Sequence, residues 1–136
     1  MILVDTGPLV ALFDRSDAQH ARCLRTLQSI RVPLWTTVPV LTEAFHMLEP
    51  ASGASDRLRE FVERDGLVAW FLDRRSLTRA FELMEVYRDH PMDLADASLV
   101  VAAETLKTRK VFTIDRRDFE TYRIRSGHRH VRFDVV

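Results

Sequence analysis

At 136 residues, the chain can bury a core without disulfides or a structural metal, and its length fits one domain over 1–136. Hydrophobic residues at 46% and charged residues at 29% exclude a disordered or fibrous chain and fit a globular one. No apolar run approaches the ~20 residues that span a bilayer, the start MILVDTGPLVALF has no basic leader, and the lone Cys23 cannot close an internal disulfide, so a cytoplasmic protein is expected.

The formal net charge of zero, 20 Lys and Arg against 20 Asp and Glu, hides an asymmetry. From Leu106 to Arg132, nine Lys or Arg stand against three acids. Such a basic last quarter reads either as a footprint for a polyanion or as a solvated face of scattered arginines.

In chain order, Ile2 to Val4 is a short apolar run that predicts a buried strand. Asp5-Thr6-Gly7-Pro8 ends it and opens a helix, with Pro8 suited to the first helical position. Ser16-Asp17 predicts the start of a second helix reaching Ser29. Leu34 to Val38 reads as a second strand, and Pro39 opens a third helix that contains Glu43. Glu49 to Ser55 is loop-like, after which Ser55 is the expected cap of a helix to Asp65. Leu67 to Leu72 is a third strand, and Ser76 is the expected cap of a helix carrying Leu77, Ala80, Phe81, Leu83, Met84 and Tyr87. Residues 92–119 then predict a helix that starts at Asp93 and Asp96, and a strand from Val111 to Ile114 that runs into Asp115. His130 to Val136 is expected as a fifth strand at the sheet edge. Strands alternating with helices indicate an α/β sandwich around a parallel sheet.

Four acids stand out by position. Asp5 and Asp115 each follow an apolar strand, so in a parallel sheet both project from the C-terminal edge, where open α/β sheets bind ligands. Asp96 lies in the first turn of its helix, and Glu43 sits on a partly apolar helical face beside Pro39, Val40 and Met47. Each also has a plainer reading. Asp5 can cap its helix, Asp93 and Asp96 approximate a capping box, Asp115-Arg116-Arg117-Asp118 can form a polar turn, and Glu43 can be a surface glutamate. Gathered at one edge, the four carboxylates would repel one another and require a cation, and an all-oxygen set favours Mg²⁺ or Mn²⁺. No glycine-rich phosphate loop, paired-cysteine motif or zinc-binding HExxH helix is present. His46, three residues after Glu43, reads either as a site residue or as a surface histidine.

Four segments, DTGPLVAL at 5–12, TEA at 42–44, DLADASLVVAA at 93–103 and TIDRRDF at 113–119, together resemble the PIN-domain family. More narrowly they are similar to its VapC-like branch, the ribonuclease toxins of type II toxin–antitoxin pairs. The resemblance implies a PIN-like three-layer sandwich with a central parallel sheet of about five strands and helices on both faces. It implies hydrolysis of RNA to a 5′-phosphate and a 3′-hydroxyl, with Asp5, Glu43, Asp96 and Asp115 as the catalytic acids. Asp5 and Asp96 would hold the principal Mg²⁺ or Mn²⁺. Thr6 and Thr113 match hydroxyl positions that line the pocket, Asp93 an acid that some members carry beside the third one. Arg116, Arg117 and the basic residues of 123–132 would hold the RNA backbone. A cognate antitoxin and a homodimer are the implied partners. The alternative is a catalytically silent PIN-like module that binds RNA or protein, whose mark would be the loss of one of the four acids. A phosphatase using Asp5 as nucleophile would want a second acid two residues on, where Gly7 stands.

Overall fold

In the computed structural model, which describes residues 1–136, the apolar runs form short strands separated by helices. In order these are β1 (Ile2–Val4), α1 (Thr6–Phe13), α2 (His20–Ser29), β2 (Leu34–Thr37), α3 (Val38–Met47), α4 (Gly53–Glu63), β3 (Val68–Trp70), α5 (Arg74–Val86), α6 (Leu94–Leu106), β4 (Lys110–Phe112), α7 (Arg116–Thr121), β5 (Arg123–Ser126), β6 (Arg129–Arg132) and β7 (Asp134–Val135). Five strands make one sheet in the order β3-β2-β1-β4-β7, and every pairing in it is parallel. The expected parallel sheet of about five strands with helices around it is what forms. No helix is long and apolar enough to cross a membrane.

The centre of this arrangement is α6, LADASLVVAAETL. Eight of its residues, from Ala95 and Ala97 through Ala103, are buried, and a helix apolar all round is stable only when covered on every side. Its alanines and Ser98 let α3, α5, β2 and β5 pack closely against it. A buried pair, the Thr37 hydroxyl 2.6 Å from Ser98 Oγ, ties β2 to α6, and Ser98 also donates to Ala95 O at 2.7 Å. Ser98 is therefore part of the packing. At the far end of α6, Arg79 Nε and Nη2 donate to the two Glu104 carboxylate oxygens at 2.9 and 3.1 Å, fixing α5 against α6.

Several boundaries differ from expectation, for local reasons. The caps of α4 and α5 are Ser52 and Asp73, not Ser55 and Ser76. In both helices the expected serine lies three residues inside and supplies the N–H that the true cap accepts, at 3.1 and 2.8 Å. Helix α2 starts at His20 because Asp14 and Asp17 accept from Ser16 N–H and Gln19 N–H in two successive turns. Residues after Asp115 form helix α7, not a polar turn. The expected last strand is divided. Arg129–Arg132 pairs antiparallel with Arg123–Ser126 in a separate hairpin turned at Gly127, φ 61°, and only Asp134–Val135 joins the main sheet beside β4.

Leu99, fully buried in α6, gives the packing a direct check. Leu99→Ala should cost about 3 kcal/mol in urea unfolding followed by circular dichroism. A loss below about 1 kcal/mol would mean that α6 is not the close-packed centre.

Candidate active site

The parallel register sets β1 beside β4, with Val4 opposite Phe112, and Asp5 N–H donates to Phe112 O at 3.0 Å. Asp5 thus leaves β1 at the C-terminal edge of the sheet and becomes the N-cap of α1, its Oδ1 accepting from Thr6 N–H at 2.8 Å. Its other oxygen accepts from the Thr113 hydroxyl at 2.8 Å. That hydroxyl in turn accepts from Asp115 N–H at 2.9 Å, so one threonine holds both strand-end aspartates. From the opposite flank α3 presents Glu43, whose Oε2 accepts from the Thr6 hydroxyl at 2.9 Å. Helix α6 brings the last two acids. Asp93 is its N-cap and accepts from Asp96 N–H at 2.8 Å, while Asp96 Oδ2 accepts from the Tyr122 hydroxyl at 3.1 Å.

These acids feel one another, and the only basic side chain that eases any of them is His90, which acts on Asp115. None of Asp5, Glu43, Asp93, Asp96 or Asp115 forms an ion pair with Lys or Arg. Burial pushes Asp5 up to about 6, against the hydrogen bonds from Thr113 and Thr6 and with repulsion from Asp115 and Asp93. Burial, then repulsion by Asp93 and Asp5, pushes Asp96 up to about 8. Burial and Asp93 also raise Glu43. Asp115 is raised first by its hydrogen bond with Asp118 and then by burial. Raised carboxylates of this kind cluster at functional sites.

A hard divalent cation suits this donor set, since it is all oxygen, carries excess negative charge and has no Lys or Arg paired with it. As the side chains stand, no three acids, histidines or cysteines converge closely enough to enclose an ion. An ion held here would have to draw the carboxylates inward. The larger hollows lie elsewhere, one of about 510 Å³ bounded by Trp70, Ser76 and Glu104 and one of about 520 Å³ beside Lys107 and Ile124. The acids occupy an open edge, with Asp93 and Asp115 exposed. A hollow of about 320 Å³ between Pro39, Glu43 and Leu94 flanks them.

The structure thus gathers Asp5, Thr6, Glu43, Asp93, Asp96, Thr113 and Asp115 at one edge. Arg116 and Arg117 stand exposed in the first turn of α7 beside Asp115, whereas His46 is exposed on α3. Three residues join the group unforeseen. Asp118 reaches Asp115, His90 Nε2 lies 2.6 Å from Asp118 Oδ1, and Tyr122 holds Asp96. Asp118 had a signal, because Asp115-x-x-Asp118 repeats the spacing of Asp93 and Asp96. Tyr122 had none, since no periodicity connects it to an acid 26 positions away.

The model of the PIN domain matches residues 2–124. The chain is 29% identical over 131 residues to Ribonuclease VapC26 of Mycobacterium tuberculosis, covering 94% of this chain and 96% of that protein. Its fold resembles the crystal structure of Mycobacterium tuberculosis VapC20, a Sarcin–Ricin loop cleaving toxin, with a TM-score of 0.75 at 18% identity, over 82% of this chain and 87% of the other.

The raised acids make stability depend on pH in a definite direction. Folded Asp5 and Asp96 keep protons at pH values where the unfolded carboxyls, near their ordinary value of 3.8, have lost them. Their protonated forms favour the folded state, so stability falls as pH rises above about 4, through about 6 for Asp5 and about 8 for Asp96. In chelator, the urea midpoint should drop between about pH 5 and about pH 9, and Asp96→Asn should flatten that drop and exceed wild type at the upper end. Equal slopes for the two proteins would refute the buried, crowded placement of Asp96.

Proposed function

This chain belongs to the PIN-domain family, and from that membership we propose that it is a metal-dependent endoribonuclease, the toxin of a toxin–antitoxin pair that inhibits growth by cleaving cellular RNA. The observation that carries the reading is the uncompensated carboxylate group at the sheet edge, whose members burial and mutual repulsion hold above the ordinary range. The ribonuclease name of the relative spanning nearly the whole chain supports RNA as the substrate.

Asp5 and Asp96 are the residues that would hold Mg²⁺ or Mn²⁺, with Glu43 and Asp115 completing the shell. When bound, the ion supplies activation of a water and neutralises charge on the attacked phosphate. The chain's own part is orientation. Thr113 and Thr6 N–H hold both Asp5 oxygens, Thr6 holds Glu43, and the α6 start presents Asp96 and Asp93. An exposed edge admits a polymer that a closed cavity would exclude. Arg116 and Arg117 contact the RNA backbone without reading sequence, and the basic hairpin of β5 and β6 extends that face.

For the partners, a cytoplasmic homodimer silenced by an antitoxin over the acid edge is the matching arrangement. Phe81, 54% exposed on α5 beside Met84, Pro91 and Met92, is apolar surface that a subunit contact would cover. The silent binding-module reading keeps one point in its favour, the incomplete convergence of the acids. Against it, all four catalytic candidates are present.

Purified protein should cut RNA with Mg²⁺ or Mn²⁺ and stop in EDTA, and Asp5→Asn and Asp96→Asn should each lower the rate by at least about 100-fold with an unchanged circular dichroism spectrum. Full activity in either variant removes that residue from the site, and absence of any metal-dependent cleavage favours the binding module. Arg116→Ala with Arg117→Ala should weaken RNA binding across sequences and reduce the salt slope by about 1 per lost phosphate contact. An unaltered slope would place the RNA elsewhere.

A further inference from the structure

We propose that Tyr122 is a positioning residue for the metal site, its buried hydroxyl pulling the Asp96 carboxylate away from its own helix start and presenting the free oxygen to the ion. The inference rests on the metal-dependent reading above and adds a residue that the four-acid pattern does not contain.

The argument begins with the helix. An acid at the third position of a helix ordinarily turns back to accept from the N–H of the cap residue, closing the reciprocal capping box. Here half of that box is made. Asp96 N–H donates to Asp93 Oδ1 at 2.8 Å, but the Asp96 carboxylate is bonded to Tyr122 instead, through Oδ2 at 3.1 Å. This leaves Oδ1 without a hydrogen-bond partner in the protein, on a carboxylate whose N–H is held by Asp93 at the acid edge.

Tyr122 is fixed well enough to impose that geometry. It is fully buried and its ring meets Tyr87, His90 and Phe119 edge-on, at centroid distances of 5.2, 5.8 and 5.4 Å. The backbone is pinned on both sides as well. Tyr122 N–H donates to Asp118 O at 3.0 Å, and Arg123 N–H to the Tyr87 hydroxyl at 2.9 Å. With the ring held by three aromatic neighbours, its hydroxyl cannot follow Asp96 back to the helix. A hydrogen-bonded partner behind a metal ligand commonly sets affinity by 10- to 100-fold.

The test is calorimetric titration of Mn²⁺ into wild type and Tyr122→Phe, which keeps the ring and removes the hydroxyl. The expected result is an unchanged circular dichroism spectrum, a Kd for Mn²⁺ weaker by about 10-fold, and a cleavage rate that recovers when Mn²⁺ is raised in proportion. In an Asp96→Asn background the same substitution should leave the residual Mn²⁺ affinity unchanged, which a general packing defect would not do. Equal Mn²⁺ affinity in wild type and Tyr122→Phe overturns the inference and leaves the nuclease standing, whereas wild type that binds no Mn²⁺ overturns both. A second readout needs no binding-site variant. The chain has 2 tyrosines, so ¹³C-labelling at the phenol carbon gives two resonances, assigned with Tyr87→Phe. Mg²⁺ should shift the Tyr122 signal in step with binding, and a signal unmoved at saturating Mg²⁺ overturns the inference.

Discussion

Five carboxylates at one sheet edge without a basic partner are the constraint from which the rest of this protein follows. What the chain supplies against their repulsion is dipolar. Asp5 and Asp93 cap α1 and α6, where the partial positive charge of the helix start favours an anion. Thr6, Thr113 and Tyr122 add hydroxyl donors to Glu43, Asp5 and Asp96. These groups orient the acids without neutralising them, and burial still dominates the shifts of Asp5 and Asp96. Orientation without neutralisation is what a cation site needs before its ion arrives.

The scaffold answers the same constraint. Only a parallel sheet delivers the ends of β1 and β4 to one side, and only a helix starting on that side can bring Asp96 to them. Helix α6 then has to run through the interior, which explains its run of alanines, valines and Ser98 and the cover it receives from α3, α5, β2 and β5. Fold and site are thus coupled through one helix. Its first turn is frustrated by charge, and its middle, Ala97 to Ala103, is close-packed and buried. Local cost at a functional site is commonly offset by packing elsewhere in the chain.

How much of this could be read from sequence depended on the range of the signal. Strands at Ile2–Val4 and Leu34–Thr37 were legible as apolar runs, and the Asp93 cap as a local spacing. The acids could be placed at one edge because parallel topology turns strand-end position into shared location. The hairpin of β5 and β6 was not legible, since Ile124 and Val131 are its only apolar residues and half-exposed strands lack a full apolar stripe. Caps were displaced by one turn in α4 and α5 because a serine that donates its N–H looks the same in sequence as one that accepts. Tyr122 belongs to a third class, contacts made only by tertiary packing between segments that share no periodicity.

The distribution of charge completes the picture. A net charge of zero gives no long-range pull on a polyanion, so any attraction is local. Helix α7 makes it local in a particular way, since Asp115 precedes it and Arg116 and Arg117 begin it. Exposed arginines therefore border the acids instead of pairing with them, and no arginine ion-pairs with any of the five carboxylates. Pairing would have relieved the repulsion and occupied both the carboxylates and the guanidinium groups. Keeping the two signs adjacent but apart costs stability, and under the proposed function it would leave the acids free for an ion and the arginines free for a phosphate backbone.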